Sequence, residues 1–189
     1  MTTAKQKKFC LQHWEVNMNE TIKTLVTRRS IRGFIDQPIK KEDLDLILKA
    51  GVYAPTGRNT RDTLFLVVTN KELRDKLSKL NAAVMGSDSD PFYGANTVIV
   101  VFADRNRTTT VEDGSCAMAN LMNAAFSLGI DSCWIHRARE VFESEEGREI
   151  ARQYGIPDEY IGIGNCILGY RDCALPEPLP RTQPIIFAE

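Results

Sequence analysis

Three arginines and a serine lie within five residues near the start of the chain, at Arg28, Arg29, Ser30 and Arg32. Arg28 and Arg32 are four residues apart, so they share a face if a helix continues and can converge on one ligand if it ends here. Guanidinium groups are planar and permanently charged, which suits an oxyanion such as a phosphate, and Ser30 adds a neutral donor. Cations also favour the carbonyl end of a helix. The cluster therefore has two readings, an oxyanion site and a solvated helix end.

Other catalytic machineries find no support in the residues. The run Gly162-Ile163-Gly164 has two of the glycines of a dinucleotide turn, but the third is misplaced and a strand pattern surrounds it. No phosphate loop ending in Gly-Lys-Ser/Thr, His-Glu-x-x-His helix or nucleophile elbow is present. His13 and His136 are the two histidines of the chain, so no metal site is expected. His136 is a candidate proton donor, although a lone histidine at a strand end is more often structural or exposed.

The cysteines favour a reducing compartment. They are five in number, and none belongs to a Cys-x-x-Cys pair. Cys116, Cys133 and Cys166 fall in apolar elements and are expected to be buried thiols. The scattered, odd set predicts a reduced, cytoplasmic protein. The full set is Cys10, Cys116, Cys133, Cys166 and Cys173.

Length and charge restrict the class further. The chain has 189 residues, with Lys+Arg 24 against Asp+Glu 25 and a net charge of −1. This length suits one domain with a sizeable core, and no global basic field exists to hold nucleic acid. Apolar runs such as 97–103 are far below membrane-spanning length. The N-terminus carries no apolar secretory core, so no membrane partner or export signal is expected.

Hydrophobic periodicity predicts helices that alternate with strands. The run 64–68 is continuously apolar, which predicts a strand buried on both faces, whereas 81–96 is predicted as loop. The order, without a repeat or linker, indicates one mixed α/β or α+β layer structure. Helices are predicted after Asn19 with Ile22, Leu25 and Val26 as its apolar face, after Pro38 ending near Gly51, after Asn70, from about Glu112 to Leu128, and after Ser144; strands are predicted over 64–68, 97–103, 130–135 and 160–168.

Both ends of the chain differ from the body. Residues 1–18 lack a period and are treated as an N-terminal extension, with disorder as one reading, before a single domain over 19–189. The segment 174–189 must be extended because of its prolines at 176, 178, 180 and 184. Such an arm either reaches a partner surface or is disordered.

Several motifs, taken in order, resemble those of the nitroreductase family of flavin enzymes. The resemblance covers residues 19–189 and includes an apolar segment and a small-residue helix in the expected places. The motifs are Arg28-Arg29-Ser30-Ile31-Arg32, Ala54-Pro55-Thr56-Gly57-Arg58-Asn59-Thr60, Phe92-Tyr93-Gly94-Ala95, Leu128-Gly129-Ile130, Ser132-Cys133-Trp134-Ile135, and Gly169-Tyr170 before an arm that carries Arg181.

The resemblance implies an α+β nitroreductase-like fold, with a central mixed β-sheet flanked by helices and a C-terminal arm that reaches the partner subunit. It implies a homodimer with FMN at the interface and NADH or NADPH as co-substrate. The implied reaction passes hydride through the flavin to a nitroaromatic, quinone or similar small-molecule acceptor in a ping-pong cycle. No catalytic acid or nucleophile is needed, because the flavin carries the chemistry. Alternatives are the same fold with reductive dehalogenation or flavin breakdown, and a flavin-binding protein without catalysis.

The same resemblance implies roles for individual residues. Arg61-Asp62-Thr63 departs from it, because the family commonly has Gln-Pro-Trp there. By position, Arg28, Arg29, Ser30 and Arg181 hold the phosphate and ribityl chain; Arg32 lies by the flavin pyrimidine, with Asn81 as a further candidate there; Pro55, Thr56 and Asn59 approach from the partner subunit; and Ile135, His136 and Arg137 run past N5, with His136 and Arg137 as substrate-side candidates.

Overall fold

The computed structural model describes residues 18–188. The predicted extension 1–18 therefore lies outside the described residues except for Met18, as do His13, Cys10 and Glu189. The helices are α1 (Glu20–Thr27), α2 (Lys41–Val52), α3 (Lys71–Met85), α4 (Thr110–Ser127), α5 (Ala138–Glu143) and α6 (Glu145–Gln153). The strands are β1 (Thr63–Val68), β2 (Thr97–Asp104), β3 (Asp131–Ile135) and β4 (Tyr160–Gly169).

The strands form one four-stranded sheet in the order β1-β2-β4-β3, and every neighbouring pair is antiparallel. The fold is therefore α+β as predicted, but the expectation of a mixed sheet needs correction. The parallel component in the described residues is an isolated bridge between Ser30 and Ser132. Whether two neighbouring strands are parallel depends on whether the connection between them ends at the same end of the sheet or at the opposite end. Hydrophobic periodicity does not reveal this. Between β1 and β2, helix α3 leads away from the end of β1 and the segment 86–96 returns to it. The return is shown by Arg74, near the start of α3, which donates from Nε to the Ala95 carbonyl at 3.0 Å.

The core lies on both faces of the sheet, with β2 and β4 in the middle. On one face, α2 and α4 pack with Ile99, Val101 and Leu121. On the other face, Phe102 and Phe142 meet edge to face with their ring centroids 4.7 Å apart, next to residues of α3, α5 and α6. Burial on both faces is what the continuous apolar run of β2 demands.

The glycines near the end of the chain lie in β4, so the region is a strand as expected rather than a dinucleotide turn. Gly164 is required by close packing, since a Cβ there would lie 2.4 Å from the indole Nε1 of Trp134. β1 is at the sheet edge, and Leu64, Phe65 and Val67 on it remain half-buried. The prediction that this strand is buried on both faces was therefore wrong in part, because an apolar run does not distinguish an edge from a centre.

Helix boundaries follow local chemistry. The side chains of Asn19, Asn70 and Ser144 each accept a hydrogen bond from the backbone N–H three residues on, which confirms the predicted N-caps. The predicted loop over 81–96 was wrong at its start, because α3 continues to Met85 and is capped by Gly86 at φ 66°. The sequence analysis also missed α5, a short helix that lacks a side-chain cap.

Asp90 fixes the segment that returns from α3 to β2. Its carboxylate accepts hydrogen bonds from Ser78 Oγ (2.6 Å), Phe92 N (2.9 Å), Gly94 N (2.8 Å) and the Arg74 guanidinium. Burial by itself raises the pKa of Asp90, but the hydrogen bonds from Arg74, Ser78 and the backbone outweigh burial and lower it. The charged form is therefore more stable in the folded than in the unfolded chain.

We expect Asp90→Asn to lower the free energy of unfolding at pH 7, because hydrogen bonds to a charged carboxylate are lost. The expected loss is only about 1 kcal/mol, since solvent partly screens this site. Because the pKa of Asp90 is lower in the folded chain, its contribution to stability is fully present above the unfolded pKa of about 3.9. This contribution is lost as pH falls through the folded pKa. The two proteins should therefore converge below about pH 4, as measured by urea unfolding across pH. Asp158→Asn is the control, since its side chain is 80% exposed; a constant Asp90→Asn deficit at all pH values would contradict the charge effect.

Candidate functional site

The basic segment lies where α1 ends and the chain joins the edge of the sheet. The Arg28 N–H donates to the Thr24 carbonyl at 3.0 Å as the last helical bond. Ser30 then bridges Ser132 of β3, and the Ile31 N–H donates to the Ser132 carbonyl at 3.1 Å. The helix therefore does not continue through the cluster. Of the two geometries left open by the sequence, the structure has the one in which the side chains are free to converge.

The side chains in this segment include buried donors without a partner. Arg28 Nη1, Arg29 Nε and Ser132 Oγ are each buried and form no hydrogen bond within residues 18–188. Arg29 also donates through Nη1 to the carbonyls of Val26 and Arg28, both at 2.9 Å, which holds its guanidinium in place. An unsatisfied buried donor costs about 1–3 kcal/mol, and more when it is charged. An oxyanion ligand would satisfy these donors and balance two positive charges.

The thiol of Cys166, which lies within range of the charge of Arg28, stays neutral. Burial raises the pKa of Cys166, the neighbouring Cys133 raises it as well, and the charge of Arg28 opposes this only in part. Cys133 and Cys166 are buried, as predicted, whereas Cys116 on α4 is only partly buried, so the prediction was wrong for it. A neutral thiol is a poor nucleophile, so Cys166 fills space beside the basic segment.

The turn after β3 is held by two buried asparagines. Asn81 donates from Nδ2 to the His136 carbonyl at 2.8 Å, and Asn165 donates to the carbonyls of Ile135 and His136 at 3.2 and 3.4 Å. Arg137 follows with φ 72°, a left-handed conformation that a non-glycine residue keeps only when its surroundings enforce it. Both carbonyls therefore point into the protein, while the His136 side chain is exposed. Asn81, a candidate for the flavin pyrimidine, is fully buried against this turn.

The proline loop lies at the opposite edge of the sheet. Pro55, Thr56 and Asn59 precede β1, whereas Ser30 joins β3, and β2 and β4 lie between these edge strands. Three strand spacings correspond to roughly 14 Å. One chain thus brings Arg28, Arg29 and Ser30 together beside β3, on the edge that leads to residues 135–137, and keeps the proline loop apart from them.

The C-terminal arm begins beside the basic segment. Phe34 bridges Arg171, and the Asp172 N–H donates to the Gly33 carbonyl at 3.3 Å. Arg171 is anchored by the buried Asp131, whose carboxylate oxygens accept from its Nη1 at 3.0 and 3.1 Å. Residues 174–188 then run exposed without helix or strand, in agreement with the proline pattern. Arg181 lies in this exposed part, and Arg32 is also exposed.

Sequence reasoning missed Ser132 and Asn165. Ser132 belongs to one of the motifs that resemble the family, which gives it no role of its own, and Asn165 falls within a predicted strand. A signal existed in both cases, because each is a polar residue within an apolar strand, and buried polar residues need a partner. Within residues 18–188, no group of three His, Cys, Asp or Glu side chains could hold a metal ion. No helix over the same residues has the length and apolarity to cross a membrane.

Comparison with known proteins identifies the family of the chain. A sequence profile of the Nitroreductase family matches residues 25–90 and 83–170. A protein of Archaeoglobus fulgidus, provisionally named an NADH dehydrogenase/NAD(P)H nitroreductase, is 35% identical over 159 residues, which span 81% of this chain and 86% of that protein.

Solved structures show the same fold. A nitroreductase with bound FMN from Bacteroides fragilis superimposes with a TM-score of 0.84 at 29% identity, covering 91% of this chain and 100% of that one. A nitroreductase with bound FMN from Desulfitobacterium hafniense gives a TM-score of 0.83 at 28% identity, covering 92% and 100%. The nitroreductase-like α+β fold predicted from the sequence is thereby confirmed.

We expect inorganic phosphate to raise the unfolding temperature of the protein freed of small molecules, because it would pair with Arg28 and Arg29. At ten times its dissociation constant, a ligand adds about 1.4 kcal/mol of stability. Arg28→Gln should lose most of this effect in a thermal-shift titration, whereas Lys76→Gln, an exposed change on α3, should keep it. Equal stabilisation of all three proteins would remove the oxyanion role of Arg28.

Proposed function

This chain belongs to the nitroreductase family, and on that premise we propose that it is an FMN-dependent oxidoreductase. It would act between NADH or NADPH and a nitroaromatic, quinone or similar electron-poor acceptor, in a ping-pong cycle. The observation that carries the proposal is the set of buried donors on Arg28, Arg29 and Ser132 that have no partner in the part of the chain that the structure describes. Two guanidiniums and a hydroxyl at one strand edge suit a phosphomonoester, which carries up to two negative charges.

The residues present fit FMN. Arg28, Arg29, Ser30 and Ser132 would hold the phosphate and the adjoining ribityl chain. Arg181, from the arm, would add a further cation. When bound, FMN supplies the hydride chemistry, and the protein supplies binding, orientation and electrostatics.

Residues beyond the phosphate would orient the ring system. Arg32 would place a positive charge by the pyrimidine edge, where it favours the anionic reduced cofactor. The turn Ile135–Arg137 presents a backbone fixed by Asn81 and Asn165. His136 and Arg137 are the substrate-side candidates, and no side chain is assigned as an acid or nucleophile. The need for a nicotinamide dinucleotide supports a cytoplasmic location.

We propose a homodimer in which the proline loop of one subunit completes the site of the other. The loop with Pro55, Thr56 and Asn59 cannot close over the β3 edge of its own chain, because two strands lie between. A second copy would bring the two edges together. Apolar side chains exposed on the helices support such an interface: they are Ile22, Leu25 and Val26 on α1, Leu46 and Val52 on α2, and Tyr53 directly after α2.

The proposal predicts a yellow protein whose released cofactor has the mass of FMN and whose flavin absorbance bleaches with NADH or NADPH. Arg28→Ala should weaken FMN binding by roughly ten- to a hundredfold, since a charged hydrogen bond contributes about 1.5–3 kcal/mol. Fluorescence titration of the apoprotein measures this, with Lys76→Ala as the control. FAD in place of FMN, or no flavin after reconstitution, would reject the function.

Truncations separate the two roles of the arm. Ending the chain after Pro180 removes Arg181 together with the apolar tip 185–187, and we expect loss of flavin. Ending it after Gln183 keeps Arg181, so we expect chiefly a weaker dimer with flavin loss only secondary. Size-exclusion chromatography with detection at the flavin band distinguishes these outcomes. A wild-type monomer that retains flavin would contradict the shared site.

A further inference from the structure

The proline loop is anchored by a residue that the family resemblance did not predict. Asp62, in the place of the common proline, is 7% exposed. Its Oδ1 accepts from Thr60 Oγ1 at 2.8 Å, its Oδ2 lies 2.7 Å from Arg107 Nε, and its carbonyl accepts from the Asp104 N–H at 3.3 Å. These contacts tie the end of the loop to β2 and to the turn after it.

A second anchor holds the start of the loop. The Gly57 N–H donates to Asp113 Oδ1 at 2.8 Å, and Thr109 Oγ1 donates to the other oxygen of Asp113 at 2.9 Å. Gly57 packs so closely that a Cβ would lie 2.2 Å from Thr109 Oγ1. The Arg61 N–H also donates to Thr56 Oγ1 at 3.1 Å, across the loop. The segment between these anchors therefore has little freedom.

The anchored segment has an unusual backbone. Arg58, Asn59 and Arg61 have φ values of 54°, 57° and 57°. This is the left-handed region of backbone conformation, which residues other than glycine adopt uncommonly. Strain of this kind persists where surrounding contacts enforce it, and it concentrates at ligand-binding sites. Here the enforced conformation sets the positions of two arginines.

Those arginines have no carboxylate partner in the described part of the chain. Arg58 is exposed and forms no hydrogen bond or ion pair within residues 18–188, and exposed Arg61 donates from Nε to Asn59 Oδ1 at 3.2 Å. The two acidic groups that anchor the loop are committed elsewhere: Asp62 pairs with Arg107 and Thr60, and Asp113 binds Gly57 and Thr109. The two guanidiniums are therefore available to an oxyanion ligand, on a loop whose backbone is already ordered by its anchors.

We propose that Arg58 and Arg61 bind a phosphate group of the incoming nicotinamide dinucleotide, and that they favour NADPH over NADH through its 2′-phosphate. This rests on the proposed function, in which the loop of one subunit borders the flavin site of the other. Quinones and simple nitroaromatics offer no phosphate to a guanidinium. Both dinucleotides carry a pyrophosphate, and NADPH adds a phosphomonoester whose charge two guanidiniums match.

The test uses the FMN-loaded dimer with Arg58→Gln, Arg61→Gln and the double variant. Glutamine keeps a long polar side chain and has the same steric limits at positive φ, so the backbone is perturbed little. We expect kcat/KM for NADPH to fall roughly tenfold for each change, while that for NADH falls much less. Arg58→Lys should keep part of the preference, and Lys76→Gln should keep all of it.

A binding measurement supplies a readout that does not depend on turnover. Adenosine 2′,5′-bisphosphate, titrated calorimetrically into the oxidised protein, should bind wild type and fail to bind the double variant. If NADPH and NADH lose efficiency equally while reduced nicotinamide riboside does not, the contact is with the pyrophosphate, which supports phosphate binding but overturns the 2′-phosphate preference.

Unchanged kinetics with both dinucleotides would overturn the proposal, as would a weaker dimer without a kinetic change, since the arginines would then pair across the subunit interface. Flavin absorbance separates this result from failure of the proposed function. A wild-type protein that does not bind FMN rejects the function, whereas full FMN content with unaltered variants rejects only the role of Arg58 and Arg61.

Discussion

The placement of two guanidinium groups beside a buried strand edge is the constraint on which the rest of the site depends. Arg28 and Arg29 follow directly from α1, and the bridge between Ser30 and Ser132 holds this segment against β3. Within residues 18–188, two of their nitrogen atoms are buried without an acceptor. A protein bears the cost of unpaired buried donors when a ligand satisfies them in the working state. The buried donors thus favour the interpretation of the arginine cluster as an oxyanion site over its interpretation as a solvated helix end.

The antiparallel sheet determines how the remaining site residues are distributed. Because the order is β1-β2-β4-β3, the loop before β1 and the segment that joins β3 lie at opposite edges. The arm adds to this separation, since Asp131 and Arg171 fix its origin at the β3 edge and leave Arg181 to extend outward. In the proposed function, each chain therefore carries two separate parts of the site, which a shared interface would bring together.

Local chemistry made much of the fold predictable. Asparagine and serine caps, proline breaks and continuous apolar runs each act over a few residues, and the corresponding helices and strands are where the sequence indicated. Strand direction, the edge position of β1 and helix α5 were not predictable in this way, because they depend on contacts between distant segments. In the site, the arginine cluster was visible as a spacing of charges. Ser132 and Asn165 carried only the weaker signal of a polar residue within an apolar strand, because their partners become known only when β3 and β4 are packed against their neighbours.

The C-terminal end of α3, which was predicted too early in the sequence, determines the position of one candidate site residue, Asn81. The segment 81–96 as a whole is rich in small and polar residues, which suggests a loop, but its first five residues continue α3, and Leu77 and Ala82 bury the helix on either side of Asn81. Asn81 is therefore helical and fully buried, and its amide reaches the carbonyl of His136 at the end of β3. Asn165 reaches the same carbonyl from β4. The backbone of the turn at residues 136–137 is thus positioned jointly by a helix and a strand on two sides of it, so its conformation depends on the packing of the core as much as on its own sequence.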